Sequence, residues 1–382
     1  MSIKKFISAG LIALFISFVF CLSFYVSDNA LNLLPPITQL NYNLKSDVSP
    51  LTIEDLSERI SFNNISFCAE LEDTNFKEET ATPVLTNENY FEIYNHKLIG
   101  KGFTKENMEN KDKVAVIESS LALKLFFNTD AVGKTLTINN EIYTICGVIE
   151  EKENIINSLS SDGKQRIYIP YSCYNEYESC EVSTISYDNK SSSAAVIEQM
   201  DLSQYHSTNF SEKAKVIKTF EHIIFLILFI GLCFISLKIW YRLCKKFVAD
   251  IKENLTENYF FESLKVIPHK YILLIMTALG IPVMLLIIFL MSDFSIYIIP
   301  KYIPYDNIFD VSYYISAIVD NSNNINSLAL TGNTFLINLY SISFLLLVWL
   351  LVVFALLSVV FLCVVNILIN RVILLLQNRV QD

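Results

Sequence analysis

Histidine is scarce in this chain: four residues in 382, at His96, His206, His222 and His269, scattered without a cluster. Eight cysteines are present, but no two form a Cys-x-x-Cys pair. A metal centre therefore has no donor set in the sequence. No Ser/His/Asp set and no paired-carboxylate signature stands out either, which leaves an enzyme reading without a defensible catalytic group. Charged residues reach only 18%, well under the share expected of a soluble globular domain.

Glycine is also sparse, with nine residues, and this bears on the one stretch that suggests chemistry. Gly133-Lys134-Thr135 matches the closing triplet of a nucleotide-binding P-loop. A P-loop needs another glycine five positions earlier, where this chain has Asn128. Its Lys-Thr pair must also open a helix that faces the phosphates. Here it opens an alternating apolar pattern typical of strands, so ATP binding is not expected at this stretch.

What the chain does have is apolar residues: 52% of the sequence, with a mean hydropathy of +0.40. They are concentrated in runs near 6–26, 223–240, 271–291 and 335–369. An uncharged run of about 20 residues spans roughly 30 Å of hydrocarbon as a helix. Four transmembrane helices follow, rather than buried helices of a soluble core. The first run, after Lys4 and Lys5, stays bulky through Phe18–Tyr25 and offers no small-residue cleavage site. It is expected to remain as a helix rather than be removed as a signal peptide, and Cys21 lacks the small neighbours of a lipoprotein cysteine.

Lys and Arg beside the spans set the orientation. Lys4 and Lys5, then Arg242, Lys245, Lys246, Lys252, Lys265 and Lys270, then Arg371 and Arg379 mark three cytoplasmic segments. The segment 293–334 carries Lys301 against Asp293, Asp306, Asp310 and Asp320 and reads as an outer loop. The expected layout is an N-terminus and first span at 1–26, an extracytoplasmic domain at 27–218 and a second span at 219–243. A cytoplasmic segment at 244–270, a third span at 271–292, the loop at 293–334, a fourth span at 335–369 and a tail at 370–382 complete it. The chain is thus read as a multi-pass protein of the plasma or inner membrane with both termini inside. Its fold class is four transmembrane α-helices plus a large α+β domain inserted between the first two.

The inserted domain carries 17 Lys and Arg against 29 Asp and Glu, a net charge of −12. It is long enough for its own core, and its acidity argues against nucleic acid as a partner. Pro35-Pro36 should end any extension of the first helix. Lys113–Ile117 reads as a strand and Glu118–Phe127 as a helix. Leu136–Ile149 reads as a β-hairpin around Asn139-Asn140-Glu141, since asparagine tolerates the positive φ of tight turns. Cys173 and Cys180 are close enough for a short-loop disulfide, with free thiols as the equal alternative. Glu150, Glu151 and Glu153 read as a solvated turn, and Glu221 and His222 as interfacial residues at the mouth of the second span.

Six ordered pieces of this domain resemble the extracytoplasmic core domain of MacB and FtsX-type ABC-transporter permeases. They are Asn89–Ile93, Lys97–Thr104, Val114–Phe126, Ala131–Thr135, Tyr143–Ile149 and Ile167–Tyr171. The resemblance implies a non-catalytic permease that needs no cofactor, because ATP is bound by a separate cytoplasmic ABC ATPase. It implies a second permease chain, identical or homologous, and surrounding membrane lipid as further partners. The cargo class would be a peptide, a lipid-linked molecule or an amphipathic compound, exported or extracted by ectodomain movement. The alternative is an FtsX-like scaffold that regulates an extracellular cell-wall hydrolase or sensor without transport.

The resemblance also places a coupling element between the second and third spans. Phe247, Ile251, Leu255 and Tyr259 recur there at helical spacing opposite charged residues. Phe261, Glu262, Leu264 and Lys265 follow within Phe261–Tyr271, a loose match to the family's coupling pattern. Ser263 stands where an apolar residue is expected, and Pro268 where glycine or alanine is expected. Gly280 and Pro282 are expected to bend the third span.

Overall fold

The computed structural model describes residues 3–44, 46–76, 79–151, 154–189, 197, 200, 202–257, 259–291, 294–300, 303–304, 307, 309–328 and 335–381. The chain divides into two compact units. One comprises Asp28–Ile217 and Ile298–Leu345; the other comprises Met1–Ser27, Lys218–Tyr297 and Leu346–Asp382.

Helix α1 (Ile3–Leu33) stops just before Pro35-Pro36, as a pair of prolines requires. The first unit continues through β1 (Ile37–Tyr42), α2 (Ile53–Arg59), β2 (Ile65–Glu70), β3 (Thr74–Phe76) and β4 (Glu79–Thr86). Next come α3 (Tyr90–Ile93), β5 (Leu98–Gly100), α4 (Lys105–Glu109), β6 (Val114–Glu118) and α5 (Ser119–Phe126). The hairpin β7 (Thr135–Ile138) and β8 (Glu141–Ile149) leads to α6 (Ile155–Ser160), β9 (Arg166–Pro170), β10 (Thr184–Asp188) and β11 (Tyr205–Asn209).

These strands form one mixed sheet in the order β11-β1-β10-β2-β4-β9-β6-β8-β5, with β3 paired to β4 and β7 to β8. The β4–β9 and β6–β8 pairs are parallel. The strand, helix and hairpin expected from 113–149 are all present. Asn139 and Asn140 hold φ of 49° and 65°, the left-handed pair that a two-residue hairpin turn needs. The core includes Phe67, Ile117, Leu121, Ile145 and Ile167, each at most 1% exposed.

The first and last strands are neighbours: β1 and β11 pair antiparallel from Thr38–Asn209 to Tyr42–Tyr205. Helix α1 precedes β1, and β11 passes without a linker into α7 (Phe210–Glu257). The Asn209 side chain accepts from the Glu212 amide at 3.2 Å and so caps that helix.

The second unit holds α1 as far as Ser27, α7 from Lys218 onward, α8 (Phe260–Val266), α9 (Pro268–Met291) and, from Leu346 onward, α11 (Phe335–Gln381). Among the described residues, four helices are long and apolar enough to cross a membrane: Ile7–Leu33, Phe210–Thr256, Pro268–Leu290 and Phe335–Leu368. Val19 of α1, Ile224 of α7 and Phe354 of α11 bury one another. The Phe20 and Phe225 rings meet edge-to-face at 5.8 Å.

Two features differ from the sequence reading. The amphipathic helix expected to begin at Phe247 is not separate; α7 is one helix of 48 residues that carries the second span through to Glu257. No glycine or proline interrupts 232–257, so the charges after Trp240 change the solvent without ending the helix. The segment read as a loop contains α10 (Val311–Leu328), an 18-residue helix in the first unit.

Candidate functional site: a six-piece half-sheet and a short helix between spans

Gly133 holds φ +83°. Its amide donates to Ile145 O at 2.8 Å, and Lys134 N donates to Ala131 O at 3.1 Å. The turn therefore spends its amides on its own backbone rather than presenting them to an anion. Lys134 lies with Nζ 4.7 Å from the centre of the Phe126 ring, a cation–π contact that ties the turn to α5. It opens β7 rather than a helix, so it has none of the phosphate cradle's geometry.

The other pieces converge around it. Gly100 on β5 stands opposite Gly147 on β8, and a Cβ on Gly147 would come 2.4 Å from Lys101 O. Only glycine lets these backbones approach so closely. Tyr90 donates to Tyr168 through their hydroxyls at 3.2 Å, and Tyr94 shares a 2.6 Å hydrogen bond with Ser186. His96 stacks on Tyr94 with ring centroids 5.8 Å apart. Burial pushes the His96 imidazole down to about 4, which keeps it neutral at pH 7. Residues from 89 to 171 that look unrelated along the chain thus form one half of the sheet and its aromatic backing.

Polar groups were harder to read from the sequence. Arg166 pairs with Asp162 and, at 3.5 Å, with Glu70. Glu151 accepts from the Ser120 amide at 2.8 Å and from the Ser119 hydroxyl at 3.2 Å, capping α5. Glu150 pairs with Lys97. Glu150 is half-buried and Glu151 exposed, as a solvated turn requires, and each also has a structural partner; Glu153 lies outside the described residues. Desolvation, then the nearby Glu151 carboxylate, push the Glu118 carboxyl up to about 8. No group of His, Cys, Asp and Glu among the described residues is arranged to hold a metal ion.

Both cysteines of the expected short loop are free thiols. Cys173 donates to Pro170 O at 2.9 Å and Cys180 to Glu176 O at 3.4 Å, so each sulfur is engaged with a different carbonyl. Burial pushes the Cys173 thiol up to about 11 and makes it a poor nucleophile. At the mouth of the second span, His222 Nδ1 accepts from the Ser295 amide at 3.2 Å, a local structural bond.

The segment between the second and third spans folds into an elbow. Ser263 is fully buried and its hydroxyl shares a 3.0 Å hydrogen bond with Tyr271. Lys270 pairs with Asp250 at 3.0 Å, linking α9 to α7. The serine that departs from the apolar pattern is thus a hinge pin, and Pro268 occupies the first turn of α9, where its missing N–H costs nothing. Of the candidate coupling residues, Ile251 is buried and Phe247 half-buried, while Leu255 is exposed. Tyr259, Phe261 and Leu264 are exposed, at 85%, 77% and 41%, and so are Glu262 and Lys265. The helical stripe is therefore split, and an apolar knob at α8 is presented outward.

A family model described as the MacB-like periplasmic core domain matches residues 10–202, half of the chain. The chain belongs to the MacB-like family. No curated protein matches it. Among solved structures, it is similar to the periplasmic region of MacB from Actinobacillus actinomycetemcomitans, at 16% identity and TM-score 0.37, over 49% of this chain and 94% of that one. It is similar as well to the extracellular domain of the noncanonic ABC-type transporter YknZ from Gram-positive bacteria, at 18% identity and TM-score 0.32, over 42% and 88%. A domain of a putative permease from Porphyromonas gingivalis matches at 13% identity and TM-score 0.28, over 46% and 90%. This member of the MacB-like permease family joins such an extracytoplasmic domain to helices long and apolar enough to cross a membrane. The family match reaches from inside α1 past β10 and is wider than the 89–171 stretch whose motifs are legible by eye.

Proposed function

We propose that this MacB-like chain is the non-catalytic permease subunit of an ABC transporter. A separate cytoplasmic ATPase binds and hydrolyses ATP, and the permease, paired with a second permease chain, converts that cycle into ectodomain movement. The cargo is a peptide, a lipid-linked molecule or an amphipathic compound, exported or extracted. The chain itself needs no cofactor.

The observation that carries this reading is the exposed knob of Tyr259 and of Phe260, Phe261 and Leu264 on the seven-residue helix it precedes, which Ser263–Tyr271 ties to α9, while Asp250–Lys270 ties α9 to α7. Apolar side chains on a rigid elbow beside basic residues suit a protein groove. Mechanical transmission is supported by α7, which runs unbroken for 48 residues, about 72 Å at 1.5 Å per residue. Such a rod carries force better than a jointed segment. The spans are mostly apolar and offer few groups to line an aqueous pore.

The test is site-specific photocrosslinking from position 261 in cells. The expected product contains a nucleotide-binding subunit, and a crosslinker at half-buried Phe247 should give far less of it. Capture of lipid alone from position 261 would overturn the coupling role of α8. An FtsX-like scaffold would give the same product but release no cargo on ATP addition, which a vesicle transport assay separates.

A further inference from the structure

The helix α10 sits between two membrane spans and has a surface split along its length. Tyr313, Tyr314 and Ala317 are half-buried and form its inner side. Val311, Ile315 and Val319 are exposed, at 67%, 57% and 51%. Spaced four residues apart, they lie on one stripe of the helix. Phe309, just before the helix, is 88% exposed as well. Beside it runs a second exposed stripe, Ser312, Ser316 and Asp320, which is polar throughout.

The start of the helix is firmly set. Asp310 Oδ1 accepts from the Ser312 amide at 3.0 Å and from the Tyr313 amide at 3.2 Å. Its far end is tethered, because Leu328 is seven residues from Phe335, where the fourth span begins. At no more than about 3.6 Å per residue, that link keeps the end of α10 within about 25 Å of Phe335, the first residue of the helix that carries the fourth span. Four spans also put α10 on the same side of the membrane as the ectodomain, since the third span delivers the chain there and the fourth takes it back. An apolar stripe tethered by a short link to a membrane-spanning helix meets lipid at a raised effective concentration.

We propose that α10 lies in the plane of the lipid–water boundary on the ectodomain side. Val311, Ile315 and Val319 enter the boundary of the acyl chains, and Ser312, Ser316 and Asp320 face water. The partner is the lipid surface itself, and the attraction is apolar. The helix has no Lys or Arg, and Asp320 is its single charge, so anionic headgroups add nothing to its binding. The inference needs the four spans and does not need the transport reading.

The test uses the full chain in phosphatidylcholine vesicles, with the native cysteines replaced by serine. Spin labels are placed one at a time through Ile315→Cys, Val319→Cys, Ser316→Cys and Asp320→Cys. Each labelled chain is first shown to unfold at the temperature of its unlabelled parent. Collision with oxygen, which concentrates in lipid, is compared with collision with a water-soluble nickel chelate. Labels at 315 and 319 should favour oxygen severalfold over labels at 316 and 320, and adding anionic lipid should leave the ratio unchanged. Equal nickel access at all four positions would overturn the proposal. So would labels at 315 and 319 shielded from both reagents, which would mean that a protein surface, such as a second copy, covers the stripe. A transport assay on the same vesicles reports separately on the proposed function.

Discussion

Within the ectodomain, Phe67, Ile117, Leu121, Ile145 and Ile167 are each at most 1% exposed. At the two short helices between spans the order is reversed, with Tyr259 at 85% and Phe261 at 77% near α8, and Val311 at 67% on α10. The same apolar chemistry closes a core in one region and opens a surface in the others. The ectodomain strands and helices close a core of their own, although Phe127 at 89% and Ile142 at 65% stay exposed there too, whereas α8 and α10 leave exposed stripes of apolar side chains. Among the described residues no group of His, Cys, Asp and Glu is arranged to hold a metal ion.

If that contrast is right, substitutions inside the ectodomain change stability, and they do so in a definite order. Gly147→Val should have the largest effect, because its Cβ would collide with the Lys101 carbonyl, a backbone atom that cannot swing away. A loss of about 3 kcal/mol or more is expected, read as a drop in Tm of the purified full chain. Tolerance of valine would mean that β5 is not clamped to β8.

Glu118 sharpens the contrast through pH. Its carboxyl is held at about 8 in the fold, above the ordinary value of 4.5. Between these values the folded chain keeps a proton that the unfolded chain has lost. The contribution is complete below about pH 4.5 and fades as pH rises through about 8. Glu118→Gln should remove that slope and raise stability at pH 8.5 by about 1–2 kcal/mol, a figure reduced for the partial exposure of the site. Unchanged pH dependence of Tm in the variant would rule out Glu118 as the group responsible.

Gly133→Ala should be smaller still, about 1 kcal/mol, because a Cβ there meets no atom within 4 Å and only the φ of +83° is strained. At α8 the expectation is the reverse of all three. Phe261→Ser should leave stability within about 0.5 kcal/mol of wild type, read as a nearly unchanged Tm, since an exposed side chain contributes little to the fold.

Much of the fold could be read in the sequence because local chemistry decided it. Uncharged runs marked the spans, Asn139-Asn140 marked a turn that needs two positive φ values, and Pro35-Pro36 marked the end of α1. The continuity of α7 was not legible. Lys, Glu and Arg beyond Trp240 signal departure from lipid, yet they are good helix formers, so the helix goes on. The helix α10 was hidden because its run of Asn and Ser resembles a loop, although Val311, Ile315 and Val319 at spacing four were the available signal. The Arg166–Glu70 pair and the Glu151 cap join residues distant in sequence, and no local pattern announces them. In the candidate coupling segment the residue types were readable, but which of them faced outward depended on where α7 ended.

The most direct measurement is ATP turnover by the purified chain alone, and again after adding the ABC ATPase proposed as its partner, in vesicles. The account predicts no hydrolysis by the chain alone. It also predicts that the wild-type chain changes the ATPase rate severalfold, while Phe261→Ser leaves that rate at the value of the ATPase by itself. Turnover by the isolated chain, or full coupling in the Phe261→Ser variant, would contradict it.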